Sequence, residues 1–171
     1  MAIRLPSDVE RLLDQSLRHN FDNSKILAYK LQDVQDNQVQ ELCSLATESY
    51  AKEALGWPRG RLEKPEIFQI VENQEFKDVD ACLQDFVQRL RALLEDSPPY
   101  EFPIWSRAFV VAEKAGLPER CTVVLLHKKP DEGQWKVDCV GCPVEVELGM
   151  TVTSLTMQDE TEEDVVERLG G

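Results

Sequence analysis

Apolar residues recur every three to four positions through the first hundred residues, and the spacing shortens to two after residue 120. The first pattern predicts helices and the second predicts strands. Ser7-Asp-Val-Glu10 has the form of a capping box, and Val9, Leu12, Leu13 and Leu17 follow at helical spacing, so a helix is expected over 8–19. A shorter one is expected near 23–32, on Ile26, Leu27, Tyr29 and Leu31. Asp36 can cap a third, in which Val39, Leu42, Cys43, Ala46, Tyr50 and Ala54 make one stripe that Gly56 and Pro58 end. Pro65 suits the first turn of a short helix carrying Ile67, Phe68, Ile70 and Val71. Asp78 opens the clearest helix, 78–95, with Val79, Cys82, Leu83, Phe86, Leu90, Leu93 and Leu94 in register.

The run "IWSRAFVVAEKA" (104–115) is apolar enough for a buried strand, but its alanines and the following Gly116 and Pro118 assign it to a helix. Strands are predicted at 121–129 and 134–140. "VEVEL" (144–148) alternates strictly and reads as a third strand, and "TVTSL" (151–155) as an edge strand. Thr161 and Asp164 resemble a second capping box before a short acidic helix. The fold class expected is therefore α+β: about five helices in the N-terminal region, an antiparallel meander of three to four strands, and an acidic tail. One domain is expected over 1–155, with a helical part at 1–98 and a mainly β part at 104–155; 156–171 is the tail or a short terminal helix.

Composition narrows the function classes. The 171 residues carry a net charge of −13, and the last 21 hold six acidic residues against one basic. Such a chain repels nucleic-acid phosphates and anionic membranes and accommodates a basic protein partner. A homodimer is compatible with the sequence. "MAIRLPSDVE" has no apolar signal region, and no apolar run approaches the roughly 20 residues of a membrane span, so a cytoplasmic protein with reduced thiols is expected.

The five cysteines are Cys43, Cys82, Cys121, Cys139 and Cys142. If Lys128 faces Trp135 across the first hairpin, Cys121 faces Cys142, with Cβ atoms about 4.5–5.5 Å apart. Cys139 is expected just before a turn at Val140-Gly141, which would gather Cys121, Cys139 and Cys142 at one end of the sheet as the candidate metal or redox residues. Structural zinc takes four ligands, and the nearest histidine, His127, is six residues away, about 20 Å along a strand. Small buried hydrophobes are the preferred reading, with no metal and no cofactor assigned.

His127 and His19 are the only histidines, and no nucleophile elbow, phosphate loop or zinc-protease motif occurs, so no catalytic residue is assigned. A histidine at a strand end is ordinarily exposed. The one concentrated basic stretch, "WPRGRLEK", offers Trp57, Arg59, Arg61 and Lys64 as a candidate anion- or base-binding loop. The closing "ERLGG" resembles the di-glycine tail of ubiquitin-like modifiers over those residues alone; the β-rich region falls late in the chain, not in their ββαβ order, and a helix stop accounts for the glycines. Two function classes follow. One is an acidic binding module that masks or regulates a basic protein, in the manner of an immunity protein, export chaperone or adaptor. The other is a small enzyme or nucleotide- or anion-binding regulator using His127 or the 57–64 loop.

Overall fold

The structure is a computed structural model and describes residues 5–14, 25–54, 67–72, 74–96, 102–128, 133–156 and 160–170. It is α+β: a five-stranded mixed sheet with helices on both faces. In chain order the elements are α1 (Ser7–Asp14), β1 (Lys25–Lys30), α2 (Asp36–Ala54), β2 (Phe68–Ile70), α3 (Val79–Asp96), β3 (Ile104–Ala112), β4 (Arg120–His127) and β5 (Lys136–Pro143). A single π turn (Val144–Leu148) leads into α4 (Gly149–Thr156), and α5 (Glu162–Gly170) closes the described chain.

The sheet order is β2-β1-β3-β4-β5. β2, β1 and β3 run parallel, joined through α2 on one face and α3 on the other; this is the connectivity of a doubly wound unit. β3, β4 and β5 run antiparallel. The antiparallel expectation therefore holds for three strands, but within a larger mixed sheet. Among the described residues the region before 98 holds three helices, not five.

Three expected helices are strands, the two inside the sheet for one physical reason. Lys25–Lys30, Phe68–Ile70 and Ile104–Ala112 replace the helices expected at 23–32, 65–71 and 104–115. β1 and β3 lie inside a sheet covered on both faces, and all four central residues of β1 are buried. A strand buried on both faces shows no alternation and cannot be told from a buried helix by period alone.

Two expected strands are helical. The β4 strand starts at Arg120, opposite Pro143, which has no N–H to give the ladder. The Val144 N–H makes one more bond in the same register, to the Glu119 carbonyl, and the chain then turns into the helical segment. In the π turn, Val144 and Leu148 are both buried at i, i+4, a spacing that the alternating "VEVEL" serves as well as a strand would. Thr151, Val152 and Leu155 then continue the buried face along α4.

Each sheet face carries its own core. Ile26, Ala28, Val110, Val123 and Leu125 pack beneath α2, α4 and α5. Leu27, Tyr29, Phe109, Val111 and Val124 pack beneath α1 and α3, where Phe86 lies against Phe109 with ring centroids 4.6 Å apart. Asp78 caps α3 by accepting from the Ala81 N–H. At α2 the side chain of Gln38 accepts from the Gln35 N–H, one residue before the expected cap at Asp36. The reciprocal box at α5 is present: Thr161 N–H donates to Asp164 and Asp164 N–H to the Thr161 hydroxyl. The acidic end of the chain is thus a docked helix, with Val165 fully buried in the α2-side core. At 8–19 the described helix is Ser7–Asp14; residues 15–19 lie outside the described residues.

Candidate binding face and candidate sites

The β4–β5 ladder places Cys121 opposite Cys142, as the hairpin register predicts. Cys139 and Cys142 do not bracket a turn: β5 runs unbroken from Lys136 to Pro143, and Cys139 pairs with Val124. Three positions apart on a strand, the two thiols point to opposite faces. The third thiol on the inner face comes from elsewhere, because α2 brings Cys43 into the same core cluster as Cys121 and Cys142. Burial pushes the Cys43 thiol up to about 12 and the Cys142 thiol up to about 11. Burial, then the neighbouring Cys142 and Cys43, raise Cys121 as well. No metal-binding group of three or more His, Cys, Asp or Glu residues occurs among the described residues. What the geometry supplies at this point is a set of protonated thiols packed as small apolar groups.

His127 is not an exposed strand-end residue. It is buried, and its Nε2 lies 2.5 Å from Oδ2 of Asp138. Nδ1 is buried with no hydrogen-bond partner among the described residues. Glu162, at the start of α5, has its carboxyl raised by burial, an effect that Arg107 and His127 partly offset. Arg107 itself lies over the Trp135 ring, 5.2 Å from its centroid, and Trp135 donates to Asp14. An imidazole oriented by a carboxylate is a familiar acid–base arrangement, but here it is closed over by the α5 layer. The candidate loop residues Trp57, Arg59, Arg61 and Lys64 lie outside the described residues.

Charge is unequally shared between the two helical layers. The described side chains of the α2–α4–α5 layer and its connections include ten acidic residues. They are Asp36, Glu41 and Glu48 from α2, Glu145 and Glu147 from the π turn, and Glu160, Glu162, Glu163, Asp164 and Glu167 around α5. Two described cations engage them: Arg168, held by Glu160 and Glu147, and Lys30 of β1, whose Nζ lies 3.4 Å from Asp36 Oδ1; Glu48 and Glu163 are engaged as well. On α1 and α3 the described set is five acidic (Asp8, Glu10, Asp14, Asp80, Asp85) against three basic (Arg11, Arg89, Arg91). The Asp8–Arg91 and Asp85–Arg89 pairs neutralise part of it.

The same acidic layer carries the exposed large hydrophobes of the described residues: Leu45 on α2, 39% exposed, and Met150 on α4, 50% exposed. Sequence reasoning passed over both. Leu45 sits at the flank of the α2 stripe, and Met150 falls between the two expected strands, 144–148 and 151–155, that do not form.

Ligands of doubly wound sheets bind beyond the carboxyl ends of the strands, where the chain order reverses. Here that point lies between β1 and β3, flanked by the start of α2 and the β3–β4 loop. A cavity of about 300 Å³ opens between these segments, lined by Asn37, Gln38, Glu41, Leu42, Leu45, Leu117 and Pro118. The β1–α2 connection, "LQDVQ", has no glycine to admit a phosphate and carries Asp33, with Asp36 in the first turn. That composition disfavours a nucleotide at this point. A second cavity, about 280 Å³, lies at the opposite end of the sheet between α3 and β1, lined mainly by apolar groups with Arg89. No helix among the described residues is long and apolar enough to cross a membrane. No protein-family model, curated protein or solved structure matches the chain.

Proposed function

We propose that this protein is an acidic protein-binding module that masks or regulates a basic partner, as an immunity protein, chaperone or adaptor does. The observation that carries the reading is the charge division between layers: seven acidic described side chains to one basic on helices α2, α4 and α5, against five to three on α1 and α3. A one-signed surface steers an oppositely charged protein and rejects nucleic acid and anionic lipid. Leu45 and Met150 give that surface apolar contact area, which a merely solubilising acidic surface does not need.

Co-purification from the protein's own cells tests this. The bait is compared with a Glu41→Lys, Glu48→Lys, Glu167→Lys variant and with an Asp80→Lys variant on the other layer. A basic partner retained by the bait and by Asp80→Lys, lost by the triple variant, and released near 1 M salt, where the Debye length is about 3 Å, is the expected result. Equal retention by all three baits would remove the acidic layer from the account.

The alternative, a small enzyme or anion-binding regulator, draws on the His127–Asp138 contact. It requires the buried ring to be reached by substrate, since neither cavity borders His127.

A further inference from the structure

We infer that α5 is a strap: it lifts from β4 and β5 as one unit while the sheet stays folded, and lifting it uncovers the His127–Asp138 pair. The inference is independent of the acidic-module reading and supplies the route to His127 that the enzyme alternative needs.

The first support is placement. α5 packs across both β4 and β5. Glu162 in its first turn is within electrostatic reach of His127, and its last residue, Gly170, runs beside Val140 of β5. His127 is buried, directly across the ladder from Lys136 and in diagonal contact with Asp138. The ladders that join β4 to β3 and to β5 do not involve α5, so the sheet can keep them when the helix leaves.

The second support is the balance of forces on the helix. A carboxylate only accepts, so Nε2 of His127 is the ring nitrogen that donates to Asp138. The other, Nδ1, is buried with no hydrogen-bond partner among the described residues. Water would satisfy it, so the docked helix carries a desolvation cost that the lifted one does not. Burial likewise opposes ionisation of Glu162. Against these stand Val165, Val166 and Leu169, of which Val165 alone is fully buried, and the Arg168 fork to Glu160, Glu147 and Thr151. Glu163 is engaged as well. A helix of 9 residues does not persist by itself in water, so lifting and unfolding of α5 are one local event.

The probe is diethyl pyrocarbonate, which acylates a reachable imidazole nitrogen, applied to the full chain at one neutral pH with the His127 peptide followed by mass spectrometry. The reference is the rate in the urea-unfolded chain multiplied by the unfolded fraction without urea. His127 is expected to react at least about a hundredfold faster than that reference. Arg168→Ala is expected to raise the rate about fivefold, and Val165→Ala about tenfold or more. Phe86→Ala and the milder Tyr29→Phe weaken the opposite face of the sheet and raise the unfolded fraction, yet are expected to leave the His127 rate unchanged. Tyr29→Phe serves where Phe86→Ala does not fold. A His127 rate that matches the reference, or that climbs with the unfolded fraction in Tyr29→Phe, would show that the ring is reached only by global unfolding and overturns the strap. A fast rate that neither Arg168→Ala nor Val165→Ala alters overturns it too, because the ring would then be open without any movement of α5.

Discussion

Cys121 and Cys142 stand opposite each other across β4 and β5, both buried, and Cys43 reaches the same core from α2. Three thiols in one apolar space cannot all ionise, and burial already opposes the first. The fold keeps them neutral, with Cys142 at about 11 and Cys43 at about 12 against an ordinary value near 9.

Alkaline pH should therefore weaken the fold. With folded values above unfolded ones, the native state holds protons that the unfolded chain has released. The contribution is fully present below pH 9 and is lost as pH rises through about 11 to 12. The denaturation midpoint should fall over that range, and less steeply in Cys142→Ala than in the parent. At neutral pH, a thiol reagent should label Cys139, which is exposed, before any of the four buried cysteines. Prompt labelling of Cys121 would contradict this packing.

Phe86 is fully buried against Phe109 in the α3-side core. Phe86→Ala should cost about 3–5 kcal/mol in urea denaturation. A cost under about 1 kcal/mol would mean that α3 does not hold this face of the sheet.

How far the sequence could be read follows from which elements keep a period. α2 and α3 bury one stripe each, so 3.6-residue spacing found them, and the Asp78 and Thr161 caps were found by side-chain chemistry alone. The β4–β5 register was legible because a hairpin is local: aligning Lys128 with Trp135 places every later pair, Cys121 and Cys142 included. β1 and β3 were not legible because their burial comes from helices far away in the chain. The acidic balance was in the composition, but its concentration on one layer depends on α2, α4 and α5 meeting on the same sheet face. The cavity joins Leu45 to Leu117, and no pattern in the sequence relates those two positions.

Tyr29, Asp85 and Arg89 form a linked set between β1 and α3. The Tyr29 hydroxyl donates to Asp85 Oδ2 at 2.9 Å, and Arg89 Nε donates to the same oxygen at 2.6 Å. Burial, then Asp85, raises the Tyr29 phenol, which stays neutral and donating. Tyr29→Phe removes one bond and leaves Asp85 paired, so about 1–2 kcal/mol is expected. Asp85→Ala strands both the buried hydroxyl and the guanidinium and should cost more. Equal costs for the two variants would show that Asp85 serves Tyr29 alone.

Arg168 fastens α5 to the rest of its layer. Nε and Nη2 grip both oxygens of Glu160 at 3.0 Å each, Nη1 donates to Glu147 at 3.2 Å, and Nη2 also donates to the Thr151 hydroxyl. Ser154 adds a donor to Glu160 at 2.6 Å. Arg168 and, after it, Ser154 hold the Glu160 carboxyl below its ordinary range, against the opposing effect of burial. A carboxyl lowered by folding stabilises above its unfolded value of 4.5, and that contribution is lost as pH falls through the acid range. These groups are partly exposed and screened, so Arg168→Ala should cost only about 1 kcal/mol at neutral pH. The gap between parent and variant should close toward about pH 3 as carboxylates protonate. Arg168→Lys should recover little of the loss, because one ammonium cannot reproduce the planar fork that holds both Glu160 oxygens while reaching Glu147 and Thr151. Urea midpoints for the three proteins at neutral and acid pH decide it: a lysine variant equal to the parent would reduce the role of Arg168 to simple charge, and an unchanged alanine variant would leave α5 held by its apolar side chains Val165, Val166 and Leu169.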